Sequence, residues 1–130
     1  MHRILLIEDE EAVLHVLQQG LTKLGHRVEA ACDGQEGLRL FDCGDFDLVI
    51  TDVVMPDIDG HKVARHVRNS NRPHTPIIAI SGTPWSLNGD DFDGVVAKPF
   101  SLRSLEKAVE DVMTHVLTFS IESYGRGVVA

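Results

Sequence analysis

Four short apolar runs in this chain each end on a residue suited to phosphate chemistry, and this pattern restricts the fold more than any other feature. Ile4-Leu5-Leu6-Ile7 runs into Glu8-Asp9, Leu48-Val49-Ile50-Thr51 into Asp52, Ile77-Ile78-Ala79-Ile80 into Ser81, and Val95-Val96-Ala97 into Lys98. Short apolar runs separated by helical periodicity read as parallel strands. In an open α/β sheet, ligands sit outside the carboxyl ends of the strands. The pattern therefore gathers three carboxylates, a hydroxyl and an ammonium in one shallow crevice. Folding alone does not require that convergence.

The remaining segments fit the same plan. Residues 3–7 read as the first strand. A helix over about 10–24 follows, with Val13, Leu14, Leu17, Leu21 and Leu24 on one stripe and Gly25 as the residue that ends it. Glu10 and Glu11 lie in its first turn, where the helix dipole favours anions. Arg27-Val28-Glu29-Ala30-Ala31 opens with polar–apolar alternation, the mark of an edge strand. Asp33, with Glu36 three residues on, is a capping-box variant opening a second helix that turns Leu38 and Phe41 inward and closes at Gly44. Asp47–Thr51 is the third strand, and the loop from Asp52 to Gly60 carries Pro56 and Gly60 as turn formers. A third helix over about 61–69 buries Val63, Ala64 and Val67. Pro76–Ile80 and about 94–97 supply the last two strands. Ser101 caps a final helix whose Leu102, Leu105, Val109, Val112, Met113 and Val116 face the core. Residues 118–130 show no strong period, contain Gly125 and Gly127, and are expected to form a loose tail behind a domain spanning 1–117. The sum is a three-layer α/β sandwich on a five-stranded parallel sheet. The edge character of the second strand favours the order 2-1-3-4-5, the flavodoxin-like order, whose switch point would be flanked by Glu8, Asp9 and Asp52.

Composition removes several function classes. The chain has 130 residues, 43% of them apolar, which suits one domain with an ordinary core. A formal charge of −8 argues against an intrinsic nucleic-acid surface and suits a soluble monomer. No apolar stretch approaches the roughly 18 residues of a membrane span. Met1-His2-Arg3 leads straight into a strand-like run, so the expected location is cytoplasmic, without membrane insertion. Cys32 and Cys43 are too few for a disulfide scaffold and read as reduced thiols. The seven histidines are scattered, and His61 and His66 are poorly spaced to share a ligand, so all read as surface or packing residues.

Carboxylates packed together repel, and a hard divalent cation resolves the conflict. Mg²⁺ prefers octahedral oxygen ligation by one or two carboxylates, waters and a phosphate oxygen, a role that suits Glu8, Asp9 and Asp52. Lys98 offers a point positive charge to a phosphate, and Ser81 a hydroxyl donor. Phosphoryl transfer needs little beyond positioning and charge stabilisation, and a carboxylate can itself be the nucleophile. Asp52, ending the central strand, is best placed for that. Singly, each residue has a plainer role: Glu8 and Asp9 as helix caps, Asp52 and Ser81 as turn formers, Lys98 as a solvated charge. Their joint occurrence at the ends of four different strands is what a shared site requires.

At these residues the chain resembles the response regulator receiver domain, the CheY-like family of two-component signalling. The resemblance rests on residues 4–10 (ILLIEDE), 47–60 (DLVITDVVMPDIDG), 78–82 (IAISG) and 97–100 (AKPF), and extends over about residues 2–117. It implies that Asp52 accepts a phosphoryl group from a phosphohistidine on a sensor histidine kinase or a phosphotransfer protein. It implies Mg²⁺ held by Glu8, Asp9, Asp52 and the backbone carbonyl of Val54. Lys98 would pair with the acceptor carboxylate and then with the phosphoryl oxygens, and Ser81 would move inward to bond the phosphoryl group and report it to the outer surface. The Lys98–Pro99 peptide is expected to be cis. The implied activity is signalling through a downstream protein by a monomer or weak dimer, not enzymatic turnover.

Three departures from the family pattern stand out. Val95 occupies the place of the usual switch aromatic, three residues before the lysine. Ser81 to Lys98 spans only 17 positions, so the helix usually found between the fourth and fifth strands is expected to be lost or cut to one or two turns, about Pro84–Leu87 with Thr83 as cap. Glu8 stands where aspartate is more common, lengthening one arm of the metal site. The altered crossover carries Asn88-Gly89, three aspartates and Trp85, the only tryptophan, which is expected to plug the core there, with an exposed anchor as the alternative. Val54, two residues past the acceptor, has no group to orient an attacking water, so slow autodephosphorylation is expected.

The leading reading is a single-domain phosphorylated switch. The alternative is a receiver-like binding module that signals without phosphate, against which stand the retained Asp52, Lys98 and Ser81. A phosphatase with an aspartyl-phosphate intermediate fits less well, because Val54 stands where such hydrolases carry an acidic partner.

Overall fold

The computed structural model describes residues 1–87 and 91–129, with side chains up to residue 115. Asn88 and Gly89, and the core-facing role expected of Val116, lie outside that description. Five strands, β1 (Arg3–Ile7), β2 (Arg27–Ala31), β3 (Leu48–Asp52), β4 (Ile77–Ser81) and β5 (Gly94–Ala97), form one sheet in the order β2-β1-β3-β4-β5. Each pairing is parallel. The topology and the edge position of β2 are those the sequence predicts.

Successive strand residues point to opposite faces, so a run of consecutive apolar residues buries both. Leu5, Ile7, Val49, Ile77 and Ala79 join a core with α2 (Gly34–Cys43) and α3 (Gly60–Arg68). Ile4, Leu6, Leu48, Ile50, Ile78 and Ile80 join the opposite core with α1 (Glu11–Lys23) and α4 (Leu102–Val129). Leu24, counted on the α1 stripe, is instead exposed at the helix end.

Local chemistry sets the helix ends. The Asp33 side chain accepts from Glu36 N at 2.7 Å, and the Glu36 carboxylate reaches back to Cys32 N at 3.3 Å, one residue beyond the usual capping-box partner. Gly25 has φ 95°, which favours glycine after a helix. Ser101 and Ser104 exchange backbone-to-hydroxyl bonds of 3.1 Å at the start of α4. Asp59, which reads from sequence as part of a turn, caps α3 by accepting from Lys62 N at 2.9 Å.

Two expectations are corrected. Residues 118–129 continue α4 rather than forming a loose tail. No proline follows Pro99 to break the backbone ladder, and each of Gly125 and Gly127 weakens a helix by only about 1 kcal/mol. Trp85 does not plug the core: it is 81% exposed on a short 3-10 turn, Pro84–Ser86, which is all the helix found among the described residues of the crossover. Thr83 precedes that turn but makes no side-chain capping bond. The buried aromatic is Phe92, adjacent to β5, which joins the core on the α3 side of the sheet and lies 5.2 Å from the His61 ring.

Polar bonds hold the shortened crossover. Asp93 Oδ2 accepts from Ile77 N and from Arg68 Nη2, each at 2.8 Å, while Asp93 N donates to Ile77 O at 2.8 Å. Arg68 Nη1 also donates to Pro73 O at 2.9 Å and Thr75 O at 2.7 Å. His61 Nδ1 lies 2.8 Å from Asp91 Oδ2. Cys32 and Cys43 are both free and exposed. Among the described residues no helix is long and apolar enough to cross a membrane.

Removing the Asp93 carboxylate leaves the Ile77 amide without that acceptor and Arg68 with only its bonds to Pro73 O and Thr75 O. Asp93→Ala is expected to lower unfolding stability by about 1–3 kcal/mol in a denaturant titration. Asp45→Ala, which breaks only an exposed 3.7 Å pair with Arg72, should change it by less than about 1 kcal/mol.

Candidate functional site

Strand register brings the predicted residues together. Ile7 pairs with Thr51, so Glu8 and Asp52 lie side by side at the carboxyl ends of neighbouring strands. Two bonds carry the ladder past that point: Glu8 N donates to Ala31 O and Val53 N to Ile80 O, both at 3.1 Å. On the other side Ser81 pairs with Ala97, and Lys98 N donates to Ser81 O at 2.8 Å. The Lys98–Pro99 peptide is cis, as expected.

Lys98 Nζ donates to Asp52 Oδ2 at 3.0 Å and lies 3.7 Å from Glu8 Oε1. One carboxylate oxygen from each of Glu8, Asp9 and Asp52 falls within 4.8 Å of the others. Glu8 is fully buried and Asp52 only 4% exposed. Ser81 is buried, and its Oγ accepts from Thr83 N at 3.0 Å. The Val54 side chain, 77% exposed, stands in solvent two residues beyond Asp52. Position 95 carries a valine, 42% exposed, so no aromatic from that position reaches the site.

The sequence reading missed one positioning residue. Gly60 N donates to Val53 O at 2.9 Å, and a Cβ on Gly60 would lie 2.8 Å from both Asp52 O and Val53 Cα. Glycine here admits the start of α3 against the backbone of the acidic strand. Asp59-Gly60 reads as a turn signal in sequence, and only the close approach reveals its second role.

The charges do not balance. Burial, then the adjacent Asp52 carboxylate, pushes Glu8 up from 4.5 to about 8, although Lys98 opposes the rise. Burial pulls the Lys98 ammonium down, but its bond to Asp52 and the charges of Asp52 and Glu8 outweigh this and leave it raised. Both Glu8 oxygens are buried without a hydrogen-bond donor. Three converging carboxyl groups, with both Glu8 oxygens orphaned, are a donor set for a hard, oxygen-ligated cation such as Mg²⁺, and Glu8, Asp9 and Asp52 fit that group.

Glu8 carries a stability signature. Between about pH 4.5 and 8 the folded protein holds a proton on Glu8 that the unfolded chain has released, so this group's contribution to stability falls as pH rises through that window. The slope is at most about 1.4 kcal/mol per pH unit for one proton. Denaturant titrations in metal-free buffer should show Glu8→Gln losing this part of the pH dependence. Millimolar Mg²⁺ should restore stability to the parent at pH 8 and do little for Glu8→Gln.

A family model described as "Response regulator receiver domain" matches residues 4–110. The chain is 35% identical over 125 residues to a probable transcriptional regulator, ycf27, of Cyanidium caldarium, a match covering 90% of this chain and 48% of that protein. It is 40% identical over 96 residues to the transcriptional regulatory protein AfsQ1 of Streptomyces coelicolor, covering 74% of this chain and 40% of that protein. The chain thus spans about half the length or less of these curated relatives. Among solved structures, the response regulator TrrA of Thermotoga maritima, in complex with Mg²⁺ and BeF, is similar with TM-score 0.78 and 31% identity, covering 86% of this chain and 99% of that one. The chemotaxis protein CheY4 of Vibrio cholerae is similar with TM-score 0.80 and 27% identity, covering 86% and 98%. With the family match spanning most of the chain and the acidic crevice at its strand ends, the chain belongs to the response regulator receiver domain family of two-component signalling.

Proposed function

We propose that this chain takes a phosphoryl group onto Asp52 from a phosphohistidine on a sensor histidine kinase or phosphotransfer protein. The observation that carries this reading is the nearly buried Asp52 carboxylate paired at 3.0 Å with Lys98, beside the converging carboxyl groups of Glu8 and Asp9. An Asp52 oxygen attacks phosphorus as the P–N bond to imidazole breaks, and the departing imidazole nitrogen takes a proton from solvent. Lys98 then shifts its ammonium from the carboxylate to a phosphoryl oxygen, where charge accumulates. Ser81 Oγ already accepts from Thr83 N, so its own proton is available to donate to a phosphoryl oxygen. Glu8, Asp9, Asp52 and the Val54 carbonyl would hold Mg²⁺, which supplies positive charge shared between carboxylates and phosphoryl group.

Output then runs through contact with another protein. The charge of −8 disfavours a direct nucleic-acid surface on this stretch. The curated relatives are named as transcriptional regulators, which suits a regulatory role for the pathway.

Incubation with acetyl phosphate and Mg²⁺ should add the mass of one phosphoryl group, and Asp52→Asn should abolish the addition. No mass change and no spectral response to beryllofluoride would favour a phosphate-independent binding module. With valine at position 54 no side chain there orients a water, so the phosphorylated protein should lose its label over minutes or longer. Loss within seconds would contradict that assignment.

A further inference from the structure

At the end of the sheet opposite the acidic crevice, two histidines meet where β1 and β2 begin. His2 precedes β1, and His26 lies between α1 and β2. The His2 main-chain N–H donates to His26 Nδ1 at 3.2 Å, and the two rings stack 5.5 Å apart with 17° between their planes. His2 O in turn accepts from Arg27 N at 2.9 Å, so residue 2 is held at the start of β2 through both its N–H and its C=O. The two residues are 24 positions apart in sequence, and the pairing of Arg3 with Arg27 brings them together. Both are half-buried.

Two imidazoles and an amide nitrogen converge there. His26 accepts through Nδ1, so that lone pair carries no proton and already points at the His2 amide nitrogen. The His2 amide nitrogen and His2 Nδ1 belong to one residue and can close a six-membered chelate ring around an ion. An ion on the line of the present N–H···N bond needs its two nitrogens about 4 Å apart, twice a metal–nitrogen bond, against 3.2 Å now. The half-buried His26 ring has to move by only about 0.8 Å to make that room. His2 Nδ1 then takes a corner beside both, and a water or a main-chain group of Met1 completes a square. Square nitrogen ligation selects Cu(II), with Ni(II) next, over the oxygen-seeking Mg²⁺.

We propose that His2, through its amide nitrogen and Nδ1, and His26, through Nδ1, form a Cu(II) site that ties the start of β1 to the start of β2. The His2 amide proton leaves to solvent as the N–Cu bond replaces the N–H bond, and no electron is transferred. No carboxylate of the acidic crevice takes part, so the site stands or falls separately from phosphoryl uptake.

The probe is Cu(II) itself, titrated at slightly alkaline pH. Cys32 and Cys43 are free and exposed and would reduce Cu(II), so both are alkylated beforehand. One equivalent should bind tightly, with release of a proton from the His2 amide. Its visible band should lie at shorter wavelength than that of Cu(II) held by imidazole alone, and its EPR pattern should show an amide nitrogen beside two imidazoles. His26→Phe keeps the stacked ring without its nitrogens, and His2→Ala keeps the amide without the ring. Each should weaken binding at least about tenfold, since even the loss of an outer partner commonly does so. His15→Gln, which removes an exposed histidine of α1, should leave binding unchanged. Parent-like affinity in either His26→Phe or His2→Ala would overturn the proposal, as would an equal loss in His15→Gln. A parent spectrum without an amide nitrogen would reduce the uptake to an adventitious ion on surface histidines and overturn it as well.

Discussion

Two buried carboxyl groups face one ammonium, and below about pH 8 the site settles that shortfall by leaving the proton on Glu8. Glu8 and Asp52 are brought side by side by strand register, not by any attraction between them. Lys98 reaches both, at 3.7 and 3.0 Å, but it supplies a single charge. Withdrawing several charges from water costs more than one pair returns. The fold tolerates the site because apolar strands hold it in place, and whatever brings positive charge to the crevice is bound and stabilises the fold in the same act. This coupling makes the crevice a place where ligand binding can be felt by the structure.

Much of this was legible because it follows from period and position. Consecutive apolar, β-branched runs such as Ile77–Ile80 suit central strands buried on both faces, and the residues after such runs then lie at one end of the sheet. The site was therefore readable as a set of strand ends before any distance was known. What escaped the sequence depends on the path of the chain between strands. Trp85 and Phe92 are both aromatic and lie in the same crossover, and residue type alone does not say which of them fills the core. The structure selects Phe92, because the next residue, Asp93, is bonded to Ile77 and fixes that stretch against the sheet. Trp85 follows Pro84 in a single turn and faces water. Gly60 shows the same limit: a turn glycine and a close-approach glycine look identical until the neighbouring backbone is placed.

Among the described residues of the crossover the only helix is a three-residue turn, and this changes the kind of interaction that secures this side of the sheet. A packed helix would contribute apolar area. Here Phe92 and Leu87 supply the apolar packing, and directional bonds do the rest: Arg68 and Ile77 to Asp93, and His61 to Asp91. Such bonds fix the ends of the connection at little cost in chain length, but they cover no apolar surface. That is why a well-anchored crossover coexists with Trp85 and Val95 in solvent.

The acidic crevice and the shortened crossover meet at Ser81. Its carbonyl accepts from Lys98 N, and its hydroxyl accepts from Thr83 N, the residue that opens the turn bearing Trp85. Among the described residues the turn that follows has three residues, Pro84–Ser86. In receivers with an aromatic on β5, a displacement of this hydroxyl can be met by a side chain rotating into the vacated space. Val95 has neither the size nor the burial for that. The hydroxyl of Ser81 is thus bonded directly to the backbone of the segment that carries the protein's only tryptophan.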